Sequence, residues 1–155
     1  MNAHLRPLRD DEFDAWAAAS KAGYAASIEH DGGFPHEVAQ RKAETDAAQL
    51  LPDGRVPDGH AVYMIEDEGE VVGHLWVAER EADDQRVLYV YDVSVDEDAR
   101  GRGLGRLAME FAEGEARRRG IRRVTLNVFG GNEVARGLYR SLGYAEVAVW
   151  MAKDV

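Results

Sequence analysis

The sequence predicts one α/β domain over residues 1–155, with a mixed central sheet, helices on both faces and elements in the order β-α-α-β-β-β-α-β-α-β. Three observations carry this expectation. A length of 155 residues suits a single hydrophobic core and leaves no room for a second large domain. Apolar runs of period two alternate along the chain with runs of period 3.6, as strands interleaved with helices require. Glycine- and proline-rich stretches fall between these runs rather than inside them.

Ala3 to Leu8 reads as a short first strand, and Asp10, Asp11 and Glu12 supply the acidic start that a helix dipole favours. Phe13, Trp16, Ala17, Ser20, Tyr24 and Ile28 then recur at three- and four-residue spacing, one buried stripe of a helix ended by Asp31-Gly32-Gly33. A weaker helix runs from Pro35 to about Leu51. Two prolines and two glycines mark residues 52–59 as a loop, the segment expected to be most mobile. Residues 60–66 and 70–79 form a hairpin around Asp67-Glu68-Gly69. Residues 86–95 make the strongest strand, with Val87, Tyr89, Tyr91, Val93 and Val95 on one face and Leu88, Val90, Asp92 and Ser94 on the other. Asp92 is the anomaly on it. After a glycine-rich turn at 101–105, a helix turns Leu104, Leu107, Ala108, Phe111 and Ala112 inward and ends at Gly120. A strand at 124–129 follows, then a short helix capped by Asn132 and ended by Gly143, then a last strand from Tyr144 to Met151.

Composition narrows the chemistry. Zero cysteines exclude a disulfide framework, a thiolate metal site and an intermediate carried on cysteine sulfur. No apolar run approaches the length of a membrane span and no signal-peptide core opens the chain, so a cytoplasmic location is expected, without membrane partners. The net charge of −10 opposes nucleic-acid binding. Residues 100–123 are the exception, with eight arginines against three glutamates, a local +5 that leaves −15 elsewhere. The five histidines show no metal-ligand spacing and no metal is implied; His74, two residues from Trp76 on one strand face, reads as a hydrogen-bonded sheet histidine. A homodimer is compatible with this composition.

The most informative segment runs from Val93 through Arg100-Gly101-Arg102-Gly103-Leu104-Gly105-Arg106, where a strand passes an acidic turn into glycines that open a helix. Successive N–H groups, the helix dipole and three arginines make an anion cradle suited to a diphosphate, and the missing Cβ atoms let a phosphate oxygen reach the main chain. The glycines fit neither the dinucleotide fingerprint nor a triphosphate-binding loop.

With Arg100-Gly-Arg-Gly103-Leu-Gly105, followed by the run from Leu126-Asn-Val-Phe-Gly-Gly-Asn132 through Tyr139-Arg-Ser-Leu-Gly143-Tyr144, the sequence resembles the GNAT superfamily of acyl-CoA-dependent N-acyltransferases. The resemblance is tight over 86–151, loose over 60–79 and positional before that. It implies a splayed sheet in which the strands at 86–95 and 122–128 part to admit the pantetheine arm of acetyl-CoA. It places cofactor contacts at Val93 and Val95, at the Gly101 to Arg106 amides, at Asn132 and, less directly, at Asn127. A β-bulge near Asp92 is implied too.

Acyl transfer to an amine needs a neutral nucleophile, a polarised carbonyl and a proton for the leaving thiolate. By the resemblance Tyr139 is the proton donor. Asp92 is the preferred base or ammonium anchor, with Glu79 at the end of the neighbouring strand as its rival. Tyr24, Trp76 and Tyr91 are candidates to line the acceptor site. The reading is an N-acetyltransferase acting on a primary amine of a small cationic molecule in a ternary complex. A peptide or protein acetyltransferase and a non-catalytic CoA-binding sensor stand as alternatives.

Overall fold

A computed structural model describes residues 2–155. The chain forms β1 (His4–Pro7), α1 (Phe13–His30), α2 (His36–Leu50), β2 (His60–Asp67), β3 (Glu70–Ala82), β4 (Gln85–Val95), α3 (Leu104–Arg118), β5 (Val124–Leu126) and α4 (Glu133–Ser141). The five strands make one mixed sheet in sequence order, antiparallel from β1 to β4 and parallel between β4 and β5.

Alternation within β2 and β3 divides the core. Tyr63, Ile65, Leu75 and Val77 face α3, where Leu104, Ala108, Met109 and Ala112 bury against them. Val62, Met64 and Trp76 face the other way onto Trp16 of α1. Burying apolar side chains on both faces at ~25 cal/mol per Å² is the principal favourable contribution to this arrangement. α1 and α2 meet through Ala25, Ala39 and Ala43, small side chains that bring the two helices close around the buried Ile28.

The structure differs from the sequence expectation in three places. The β3–β4 hairpin is longer, turning at Asp83-Asp84 with both residues left-handed (φ 53° and 61°), as a two-residue hairpin of the sheet's twist requires. β4 is not one continuous alternation. Trp76 pairs with Asp92 while Val77 pairs with Val90, so Tyr91 is an extra residue; this departs from the simple alternation and is the β-bulge that the resemblance implied near Asp92. Beyond it the faces exchange: Val93 and Val95 join Leu88 and Val90 on the α3 face, and Asp92 joins Tyr91 opposite α1. Finally, residues 144–151 form no ladder and β5 is only three residues long. A strand exists through its partner's hydrogen bonds, and among the described residues this segment has no partner strand.

The parallel pairing ends at Val90 and Leu126 although β4 continues to Val95, so the two strands part beyond that point. The Asp96 amide donates to Val72 O at 2.8 Å, on the β3 side. By alternation the main chain of Val95 and Val93 therefore faces the gap, as that of Leu88 faces β5 through its bond to Arg123 O.

Candidate active site

A cleft of about 1860 Å³ includes the gap where β4 and β5 part and extends along β5 to the C-terminal end of α3 and residues 144–150. Its lining brings together Tyr24, Trp76, Tyr91, Asp92, Val93, Asn127, Asn132 and Tyr139 from residues separated widely in the chain. Val95, residues 100–106 and Glu79 are not on that lining.

Asp92 reaches the cleft because the bulge turns it toward α1. Its Oδ2 accepts from Ser20 Oγ at 2.7 Å and from His74 Nε2 at 2.6 Å. Oδ1 has no protein partner and is not sealed from solvent. One oxygen is anchored and the other is offered to the cleft. Sequence reasoning named Asp92, read His74 as a hydrogen-bonded sheet histidine on the Trp76 face and placed Ser20 on the helix stripe, but did not join either to Asp92; the signal that could have linked His74 is that its strand lies directly across from β4.

Tyr139 projects from α4, whose N-terminus is capped by Asn132 Oδ1 accepting from the Ala135 amide at 3.1 Å. Its ring packs edge-on against Tyr144 at 5.9 Å, and its hydroxyl has no protein partner. Burial, reinforced by the negative charge of Asp92, raises the phenol to about 12. It therefore keeps its proton throughout the neutral range.

Glu79 lies elsewhere. Arg86 Nη2 and Arg119 Nη1 bind its carboxylate at 2.9 and 3.4 Å, and the Arg86 bond holds it below the usual carboxylate range. Glu29, at the C-terminal end of α1, is likewise occupied, by His36 at 2.6 Å. Tyr24 donates to Asp46 at 2.8 Å, Trp76 Nε1 to His60 Nδ1 at 3.0 Å, and Tyr91 stacks on Trp76 at 4.9 Å. Asn127 Nδ2 donates to Tyr89 Oη at 3.1 Å.

The 100–106 segment fits a diphosphate by its main chain. Gly101 and Gly103 are left-handed (φ 77° and 78°), and a Cβ on either would meet nothing within 4 Å. None of the amides from Gly101 to Arg106 donates to a protein acceptor among the described residues. Six consecutive donors at the N-terminus of α3 are thus free on an open side. The arginine side chains are engaged otherwise: Arg100 with Val95 O, Arg102 with the buried Asp67 and Arg106 with Ser141. Leu104 is buried, leaving its amide as its contribution. Gly105 has a packing role as well, since a Cβ there would stand 3.2 Å from Leu138. Among the described residues no group of three His, Asp or Glu side chains is placed to hold a metal, and no helix is long and apolar enough to cross a membrane.

The profile of the Acetyltransferase (GNAT) family matches residues 9–144. The chain belongs to this family. The Bacillus subtilis proteins named Uncharacterized N-acetyltransferase YdgE and YycN are 31% and 30% identical to it, covering 97% and 100% of both partners. The crystal structure of the B. subtilis putative acetyltransferase YycN superposes with a TM-score of 0.89 over 99% of each chain at 30% identity. Mycothiol acetyltransferase of Beutenbergia cavernae is 30% identical over 89% of this chain, which spans 43% of that relative. A predicted acetyltransferase with acetyl-CoA from Clostridium acetobutylicum, 14% identical, shares the fold at a TM-score of 0.65. The protein is a GNAT-family acyl-CoA-dependent N-acetyltransferase, and acetyltransferases of this family use acetyl-CoA.

Proposed function

We propose that this acetyltransferase transfers the acetyl group of acetyl-CoA to a primary amine of a small cationic molecule, by direct attack in a ternary complex. The observation that carries the reading is the pairing of two complementary groups on one cleft: a carboxylate oxygen without a protein partner at Asp92 and a protonated phenol without one at Tyr139.

Acetyl-CoA, when bound, supplies an activated acyl group and a thiolate leaving group. The chain's residues do the rest. The amides of Gly101 to Arg106 hold the diphosphate, and the gap-facing main chain of Val93 and Val95 aligns the pantetheine arm, with Asn127 and Asn132 at its margin. Asp92 Oδ1 receives the acceptor's ammonium and takes its proton, directly or through a water, while Ser20 and His74 keep the carboxylate in place. Tyr139 holds its proton for the departing sulfur. A thiol of pKa near ~8.5 is a weaker acid than a carboxylic acid and a stronger one than this phenol, so the phenol gives up its proton only as thiolate charge develops beside it and regains one afterwards from solvent. Trp76, Tyr91 and Tyr24 shape the acceptor end. The −15 carried outside residues 100–123 supports a cationic acceptor.

A peptide or protein amine is the second reading, favoured by a cleft that extends beyond the gap between β4 and β5. Thiol release from acetyl-CoA, measured across polyamines, aminoglycosides, amino acids and peptides, tests both. Turnover confined to small cationic amines is the expected result. Turnover confined to peptides selects the second reading, and none with any amine despite cofactor binding defeats both.

A further inference from the structure

Asp67 closes β2 and is buried, its side chain only 4% exposed. The main chain fixes its place, because Asp67 pairs with Glu70 across a two-residue turn whose Glu68 and Gly69 are both left-handed (φ 52° and 81°). A carboxylate rarely stands in such a position without partners on both oxygens. Here Oδ2 accepts from Arg102 Nη1 at 3.0 Å, and Oδ1 has no hydrogen-bond partner among the described residues. Compensation for this buried carboxylate therefore comes from one guanidinium, and that guanidinium belongs to the glycine turn.

Arg102 sits between Gly101 and Gly103, inside the run of six free amides. Its Nη2 donates to Asp98 O at 3.4 Å, so one side chain spans the β2–β3 turn and the helical turn at 97–99 that precedes the glycines. Two more bonds fasten the approach to the turn: the Asp96 amide to Val72 O at 2.8 Å, and Arg100 Nε to Val95 O at 3.0 Å. Arginines and glycines thus divide the labour along Arg100-Gly-Arg-Gly103. The arginine side chains tie the segment to the protein. The left-handed glycines, whose Cβ positions meet nothing within 4 Å, leave its amides uncovered.

We propose that Asp67 is a positioning residue for the cofactor: by holding Arg102 it sets the direction of the amides that receive the diphosphate, and Arg102 is a strut of that site instead of a phosphate ligand. The inference rests on the reading of residues 101–106 as the diphosphate cradle. Two physical arguments support it. A buried ion pair is a poor way to gain stability, since packed apolar side chains serve as well, whereas its directional hydrogen bonds fix a loop as apolar contact does not. Arg102 is also not at liberty to turn to a phosphate, because leaving Asp67 would strand a buried carboxylate with neither oxygen compensated.

The two roles for Arg102 predict opposite signs. If Asp67 restrains a phosphate ligand, removing the carboxylate frees the guanidinium and tightens the cofactor; if it holds a strut, binding weakens. Asp67→Ala and Asp67→Asn are titrated with acetyl-CoA by calorimetry, and with S-acetylpantetheine, which carries the arm and thioester without the diphosphate, by ligand-observed NMR. Asp67→Ala should weaken acetyl-CoA about tenfold or more, because misdirected amides lose much of their bonding to a fixed oxygen. Asp67→Asn keeps an acceptor for Arg102 and should lose less; it decides the matter should the alanine variant not fold. Affinity for S-acetylpantetheine should stay within about twofold in both, as expected of a ligand that does not touch the altered site. Tighter or unchanged acetyl-CoA binding in the folded variants overturns the proposal. So does an equal loss for the two ligands, which would mark a general disturbance of the fold. A wild type that binds acetyl-CoA no better than S-acetylpantetheine would instead defeat the diphosphate reading, and this inference with it.

Discussion

His74 Nε2 lies 2.6 Å from Asp92 Oδ2, and the imidazole that makes this bond is buried while the carboxylate reaches the cleft. The bond crosses from β3 to β4 beside the bulge, so it fixes the Asp92 side chain where the backbone is least regular. His74→Asn retains a donor and should keep most activity; His74→Ala should lower kcat/KM about 10- to 100-fold, with cofactor affinity unchanged and the pH profile displaced. Equal loss in both variants, or none, would make the imidazole a packing group only.

Tyr139→Phe should lower kcat by roughly 10²- to 10⁴-fold and leave cofactor binding within a few-fold, because it removes a proton donor and keeps the ring against Tyr144. The phenol at about 12 owes part of its elevation to Asp92, and removing a negative neighbour lowers an acid's pKa. Asp92→Asn should therefore shift the phenolate absorbance of Tyr139 to lower pH, read as the difference from a matching Tyr139→Phe background. The alkaline limb of wild-type kcat should not report Tyr139 below about pH 10.

Gly103 and Gly105 should fail differently. Gly103→Ala imposes a left-handed alanine at a cost of ~1–2 kcal/mol, with its Cβ in open space on the side of the free amides. Acetyl-CoA affinity should fall at least tenfold. Gly105→Ala presses on Leu138 and should lower the melting temperature through the α3–α4 contact. Calorimetric binding and thermal melts on the two variants separate the effects.

The Arg6 guanidinium binds Glu12 at 2.8 and 2.9 Å and Glu66 at 2.5 Å, joining β1, the start of α1 and β2. The hydrogen bond from Arg6 holds Glu12 down to about 2. A carboxylate depressed in the folded state contributes stability that is complete above its ordinary value of 4.5 and is lost as pH falls from there to about 2. Glu12→Gln should destabilise the protein at pH 7 and converge with wild type near pH 2, followed by denaturant melts.

Electrostatic selection of the acceptor should appear in kcat/KM rather than in the final affinity, and weaken as the Debye length falls from ~10 Å at 0.1 M salt to ~3 Å at 1 M. A polyamine should show this dependence at constant pH and a neutral-tailed amine of equal size should not. Equal salt dependence in both would assign the choice of acceptor to shape.

The helices, the β2–β3 hairpin and the glycine turn were legible because each is a local pattern: the Trp16 to Ile28 stripe, Asp67-Glu68-Gly69, and Gly101 to Gly105. Asp92 was legible as a misfit. Its environment was not, since period-two counting put it with Leu88 and Val90, and only the pairing of Trp76 with Asp92 beside that of Val77 with Val90 reveals the exchange of faces. Ser20, 72 residues away, and His74 reach Asp92 through tertiary structure alone. The segment at 144–151 misled for a related reason. Its composition is that of a strand, but composition does not specify which edge receives it.

Tyr91 is a residue the sheet could dispense with. Were it deleted, Val90 opposite Val77 would be followed at once by Asp92 opposite Trp76, and the β3–β4 ladder would run unbroken. The shortened chain would keep its β3–β4 ladder. It would nonetheless lose the slack that lets β4 bend away from β5 and the ring that stacks on Trp76. The bulge thus trades regularity of the ladder for the shape of the cleft, and a variant in which the β3–β4 ladder has been regularised should be screened for turnover before its melting temperature is counted as an improvement.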